Sequence, residues 1–246
     1  MGDIIRVNFN KGGFNEGAVE GIGREAALVK YNTHRLPRER SISKFGELPY
    51  LPDGKGWPVC SSCGKPLTFI SQYNFTEAGL TLSKDYDLLT FYYCFDCKPW
   101  WDVAGRGFLA KAYYADPLVK LLPEKLAAVD DSGRGPKACE IDFKVFRDYP
   151  SAPEAARLLV LEEEVEKHYG EKYSPEVRGK IGGWPAWHQL TDTPVCRHCG
   201  GAMRLAAQIP SGEAHGLDWD GHGCMYIFVC EELCRRDAFS IVLQGE

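Results

Sequence analysis

Trp57-Pro58-Val59-Cys60-Ser61-Ser62-Cys63-Gly64-Lys65-Pro66-Leu67 returns 136 residues later as Thr193-Pro194-Val195-Cys196-Arg197-His198-Cys199-Gly200-Gly201-Ala202-Met203. Each of these C-x-x-C turns has a second cysteine pair downstream, Cys94 and Cys97 in one case, Cys230 and Cys234 in the other. Thirty residues separate Cys63 from Cys94, and thirty separate Cys199 from Cys230. The same offset relates Lys44 to Lys180, Gly46 to Gly182, Pro49 to Pro185, Pro58 to Pro194, and Gln72 to Gln208. One coincidence would mean little, but so many at a fixed offset predict an internal duplication.

Thiolates suit zinc, which favours four ligands in a tetrahedron. Gly64 and Gly200 follow the second cysteine of their turns, where a positive φ is often required. An apolar run precedes each later pair and can bring it back beside the first. The pattern therefore predicts two closed sites, Cys60, Cys63, Cys94 and Cys97, then Cys196, Cys199, Cys230 and Cys234, with two zinc ions per chain. Cys230–Cys234 is one residue wider than C-x-x-C, so His198, His222 and Cys224 stand in reserve as ligands. The competing readings are buried free thiols and a redox pair at a helix start. Matched sets of four favour metal. Cys139 and Cys224 lack counterparts at the offset and are predicted to be core residues.

Around these sites the chain reads as β-rich α+β: two tandem homologous units of mainly antiparallel sheet, each carrying a zinc-ribbon-like knuckle. The units are placed at 1–112 and 137–246, joined by a linker at 113–136 that ends in a turn-rich breaker. Strands are predicted at 67–70, 88–93, 203–206, 225–229 and 238–243, where aromatic and β-branched residues cluster. The offset also extends upstream as an expectation, pairing Ile5, Val7 and Phe9 with Ile141, Phe143 and Val145, both alternating as half-buried strands. A helix is expected over Ala155–Tyr169, opened by a Ser151/Glu154 capping box with Pro153 in the first turn. Its counterpart, Gly17–Asn32, is a weaker helix, and Pro117–Val129 is a third, interrupted by Pro123.

The 246 residues suffice for a core without disulfide staples, and 44% hydrophobic with 26% charged is ordinary globular composition. A net charge of −5 counts against broad electrostatic binding to nucleic acid. No apolar stretch is long enough for a membrane span, and Met1–Arg6 lacks a secretory pattern, so a cytoplasmic, reducing location is expected. There the ten cysteines call for metal rather than disulfides. The glycine-rich stretch at 11–23 lacks the Lys-Ser or Lys-Thr of a phosphate loop. His188 beside Trp187, and His215 with Asp218, are the available catalytic candidates, and lone histidines of this kind are usually structural. The basic stretch His34–Arg40 reads as a solvated loop, and Glu162-Glu163-Glu164 as a solvated helix face. No catalytic residues are assigned.

A second recurring feature is Lys44-Phe45-Gly46-Glu47-Leu48-Pro49 and Lys180-Ile181-Gly182-Gly183-Trp184-Pro185, where Gly and Pro imply a tight turn. Trp57, Trp184 and Trp187 lie near the knuckles. Core packing is the simpler reading; gripping a peptide beside the turns is the functional one.

At these residues the chain resembles a known group. Lys-Phe-Gly-x-Leu-Pro, then Trp-Pro-x-Cys-x-x-Cys-Gly-x-Pro-Leu and Phe-Ile-x-Gln, is similar to the bacterial YwqG-like family of unknown function. Lys-Ile-Gly-Gly-Trp-Pro-Ala-Trp followed by Cys-x-x-Cys-Gly and a later Gln also resembles the related eukaryotic programmed cell death protein 2 group. The motifs cover residues 43–97 and 179–234. The resemblance implies a duplicated, mostly β architecture and, from the eukaryotic relatives, a chaperone role toward a small-subunit ribosomal protein. It makes Lys44, Gly46, Pro49, Gln72, Lys180, Gly182, Gly183, Pro185 and Gln208 signature positions. Glu47 departs from the pattern, since Gly183 stands at its counterpart.

A closed four-thiolate site leaves no position for substrate, so it stabilises structure. The leading expectation is a zinc-stabilised protein-binding module, chaperone-like toward an extended segment, using exposed strand edges for β-augmentation. Its candidate binding residues are the turn and glutamine positions above with Trp184 and Trp187. The alternatives are a nucleic-acid-binding zinc-ribbon protein and an uncharacterised enzyme. A protein partner is expected.

Overall fold

Apolar runs that bury both faces dominate the chain, and each becomes a strand between neighbours. The computed structural model describes residues 16–52, 54–102, 104–116, 118–124, 133–159, 163–189 and 193–245. Its elements are α1 (Glu16–Ile22), β1 (Arg24–Asn32), β2 (Lys44–Phe45), β3 (Thr68–Asn74), β4 (Leu88–Tyr93), β5 (Trp101–Asp102), β6 (Phe108–Tyr113) and β7 (Cys139–Asp148). Then follow α2 (Ala152–Leu159), α3 (Glu163–Lys172), β8 (Lys180–Gly182), β9 (Met203–Pro210), β10 (Cys224–Cys230) and β11 (Phe239–Gln244). Strands stand at each of the five expected places. No helix among the described residues is long and apolar enough to cross a membrane.

All described strands join one antiparallel sheet in the order β5-β11-β10-β9-β8-β1-β7-β2-β3-β4-β6. The sheet curls into a nearly closed barrel: at the seam the Ala112 N–H donates to the Arg236 carbonyl just ahead of β11. Side chains from alternate positions of the longer strands meet inside. Ala27, Val29, Phe45, Tyr73, Phe91, Phe108, Ile141, Ile181, Ile209, Ile227 and Ile241 belong to one buried cluster, closed at an end by Trp219. Filling a small barrel with side chains in this way makes it a packed core rather than a channel.

Equivalent local geometry recurs on the two sides of the barrel. Lys44 lies opposite Gln72, and Lys180 opposite Gln208. The β3–β4 pairing slips between Phe69 and Ser71, and the β9–β10 pairing between Ile227 and Phe228. At the centre the connection crosses over. β1 lies between β8 and β7, and β7 between β1 and β2.

The structure corrects several expectations. Gly17–Asn32 is not one helix: α1 ends at Ile22 and the rest is β1, whose Ala26-Ala27-Leu28-Val29 run is buried on both faces. The 136-residue offset therefore fails upstream of Lys44. Leu28 faces Lys180 and Glu140 faces Lys44, yet Glu140 precedes Lys180 by 40 residues and Leu28 precedes Lys44 by 16. The longer interval holds α2 and α3. Ile5, Val7, Phe9 and the glycine-rich start lie outside the described residues. Ala155–Tyr169 is not one helix either. A continuous helix would set Ala155 and Tyr169 about 21 Å apart, whereas both lie in one small cluster with Val19 and Leu159. The side-chain half of the expected capping box forms, with the Glu154 carboxylate accepting from Ser151 N at 3.3 Å and from its Oγ at 3.0 Å. In the expected helix at 117–129, residues 118–124 carry no α-helix. Leu122 donates its N–H to Leu51 and its carbonyl accepts from Arg40, which holds that segment extended against the loop at 50. Long exposed strand edges are likewise missing among the described residues. One end of the sheet is the two-residue β5, and the other, β6, faces the seam.

Candidate metal centres

Two hairpins position the cysteines. Before β3, Cys60–Cys63 forms a turn in which Gly64 N donates to Cys60 O at 2.8 Å and Gly64 takes φ 73°. Before β9 the turn is the same, Gly200 N to Cys196 O at 2.8 Å with φ 69°. A side chain at either glycine would sit in a strained left-handed conformation. After β4, Lys98 completes the Cys94–Cys97 turn at φ 43°. In the wider Cys230–Cys234 turn the left-handed residue is Leu233, inside the pair, at φ 40°. The extra residue is absorbed there, and Cys234 still reaches its partners.

The eight sulfurs gather as two sets of four, Cys60, Cys63, Cys94 and Cys97, and Cys196, Cys199, Cys230 and Cys234, each with all ligand atoms within 4.8 Å of one another. Cys60–Cys97 and Cys63–Cys94 stand 3.7 Å apart, Cys196–Cys234 and Cys199–Cys230 3.6 Å. Thiolates about 2.3 Å from a tetrahedral zinc-sized ion are separated by about 3.8 Å. The donor set and its spacing thus fit one metal ion per quartet. His198 and His222 are not needed, and Cys224 is buried in β10 away from the quartet, as Cys139 is in β7.

Electrostatics point the same way. Burial raises the Cys60 thiol, but the N–H groups of Cys63 and Ser62 and the neighbouring thiols more than offset it, bringing it to about 7. Cys196 behaves alike, helped by Cys199 and His198, and also comes to about 7. Burial and then the other three thiols push Cys234 up to about 12. Hydrogen bonding with Cys63 and Cys60 raises Cys97. Four thiolates so close ionise together only around a cation. Each quartet packs on the outer face of the barrel, the first against Leu67, Phe69 and Tyr92, the second against Met203, Leu205, Tyr226 and Phe228.

The signature positions lie behind the knuckles. Gln72 accepts from Tyr50 N at 2.8 Å and donates to the carbonyls of Arg40 and Ile42. Gln208 accepts from Ala186 N at 2.9 Å and donates to those of Glu176, Val177 and Arg178. Each glutamine thus ties two passing loops to the sheet. Lys44 and Lys180 are buried; Lys180 pairs with Asp148 at 2.7 Å, and Lys44 donates to the Glu39 carbonyl at 2.7 Å. Gly46, Gly182 and Gly183 take positive φ, and so does Glu47 at 56°, so the first turn keeps the same conformation without its second glycine. Pro49 and Pro185 are buried beside them. The tryptophans are half-buried and committed: Trp57 Nε1 donates to Leu67 O, Trp184 Nε1 to Ile22 O, and Trp187 stacks on Phe228. His215 is buried against Phe45, its Nδ1 accepting from Leu217 N, and burial lowers it to about 4. Asp218 instead caps Gly221 N, so the two make no catalytic pair. Sequence reasoning missed Asp148. Its only signal was being an acidic residue at the end of an apolar alternation.

The fold and the site together define a barrel-like sheet that carries two four-cysteine groups, each spaced to hold one metal ion. The chain belongs to the family described as a domain of unknown function, DUF1963, whose model matches residues 43–245. A comparison with curated proteins finds no match.

Proposed function

We propose that the chain is a zinc-stabilised protein-binding module, built by duplication and akin to the YwqG-like and programmed cell death protein 2 groups it resembles. The observation that carries the reading is the pair of closed sulfur quartets on the outer barrel wall. Four protein ligands leave no coordination site for water or substrate, so the ions hold loops in place. Lys44, Gly46, Pro49 and Gln72, with Lys180, Gly182, Pro185 and Gln208, then act as internal clasps that set the knuckles' positions. Binding falls to the surfaces those clasps hold. The short sheet edges favour side-chain clefts over strand addition.

Metal analysis of the full chain should find about two zinc ions, lost together with the native melting transition on chelation. Fewer than one ion, or a melting curve indifferent to chelator, refutes the metal part. The partner part is tested by affinity capture followed by reconstitution from purified proteins. A stoichiometric complex supports it, and salt-sensitive retention on DNA without such a complex replaces it with the nucleic-acid reading.

A further inference from the structure

One end of the barrel is closed by the loop at 211–223, which joins β9 to β10. Its side chains alternate: His215, Leu217 and Trp219 are buried, while Glu213, Asp218 and Asp220 are exposed. The loop is tied mostly to itself. Ser211 N donates to Gly223 O, Gly212 N to Leu217 O and Gly216 N to Gly212 O; from outside it, Lys137 N donates to His215 O at 2.7 Å.

The His215 ring stacks on Phe45 with centroids 5.0 Å apart and lies tilted 4.9 Å from Tyr31. Its Nδ1 accepts from Leu217 N at 3.2 Å, so the closed loop holds the neutral ring with its proton on Nε2. The Pro210 carbonyl is its other polar neighbour. A second proton would turn Nδ1 into a donor facing a donor and leave a charge without solvent. The packed elements bring the Tyr31 phenol from β1 and, past Phe45, the Tyr73 phenol from β3 and the Cys139 thiol from β7. Lys137 lays its Nζ on the Glu213 carbonyl. No carboxylate among the described residues acts on the ring.

Two further groups are ill served by closure. The Tyr31 hydroxyl and Trp219 Nε1 are buried with no hydrogen-bond partner among the described residues. Opening hydrates both, which offsets part of the apolar burial given up. The 136-residue offset places Gly79 where the second half has His215. The loop there packs Phe75, Ala78 and Leu82 into the same interior cluster without a histidine.

We propose that the loop at 211–223 is an acid-released lid: it closes over the neutral His215 ring, and protonation of that ring opens it, giving this end of the barrel to solvent. The device stands apart from the protein-binding reading and does not rest on it. Burial holds the closed ring at about 4, whereas an exposed imidazole titrates at about 6.5. The closed value lies below the open one, so closure is fully stable above about pH 6.5 and weakens as pH falls from there. Between the two values the open form binds one more proton, and its population rises about tenfold per pH unit.

The test is amide hydrogen exchange of the full chain, with zinc present throughout, at pH 7.5 and 5.5 and corrected for intrinsic rates. Protection of the Leu217 and Gly212 amides should fall about tenfold. The Leu80 amide, bonded to Phe75 O in the opposite loop, should keep its protection. His215→Phe should show no such fall, and His215→Gln serves the same purpose if the aromatic variant folds poorly. Constant protection of Leu217 over this range overturns the lid, as does an equal fall in a variant that cannot titrate. An equal fall at Leu80 means that the whole barrel loosens, and it overturns the lid as well.

Discussion

Lys180 and Lys44 occupy matching places opposite a buried glutamine, but their charges are handled differently. The Lys180 ammonium meets Asp148, which also accepts from Glu176 N and Trp184 N, with both side chains essentially inaccessible. Removing one member of such a pair strands the other charge. Lys180→Met should therefore cost about 3–5 kcal/mol in denaturant unfolding, and a loss under 1 kcal/mol would show that the pair is neutralised or hydrated. Lys44 has a carbonyl instead of a carboxylate, and burial, with Arg40 adding, lowers it to about 7. The unfolded lysine keeps its proton to about pH 10.4. Between those values the unfolded chain binds more protons, so the Lys44 contribution to stability improves as pH rises and is worst below pH 7. Lys44→Met lacks this slope. Its stability relative to the native chain should fall steadily in urea titrations from about pH 6 to about pH 10; a constant difference would contradict the low value.

At the scale of elements, the knuckles were the most legible part of the sequence, because ligand spacing is local and a glycine marks each first turn. The strands at 88–93 and 225–229 were equally plain from their aromatic and β-branched runs. β1 was not, since Ala26-Ala27-Leu28-Val29 lacks the alternation that marks a half-buried strand, and tertiary pairing on both sides decided it. The helix pair α2 and α3 was half legible: the cap was visible, the reversal between them was not. The knuckles also separate two kinds of buried cysteine. Cys60 and Cys139 are each about 1% exposed, yet only the first belongs to a quartet. Cys60→Ser should lower the melting temperature by about 10 °C and Cys139→Ser by about 3 °C, given about 2–4 °C per kcal/mol for a chain of this size. Equal shifts would mean that the quartet holds no ion.

For the molecule as a whole, the recurring motifs were readable but the way the two sides of the sheet engage was not, because nothing local announces that a strand will pair across the chain. β1 completes the sheet beside β8, and β7 completes it beside β2. Residues 137–246 expressed alone should therefore fail to give a dispersed amide spectrum as a monomer, lacking β1 and half of the interior cluster. A well-folded monomeric fragment would show that the halves are autonomous and merely abutted.

The central antiparallel pair carries one more consequence. Its strands, β1 and β7, each pair onward with a short strand that carries a buried lysine, β8 and β2. Separating that pair would leave two open sheets, each with an unfinished interior and a bare edge.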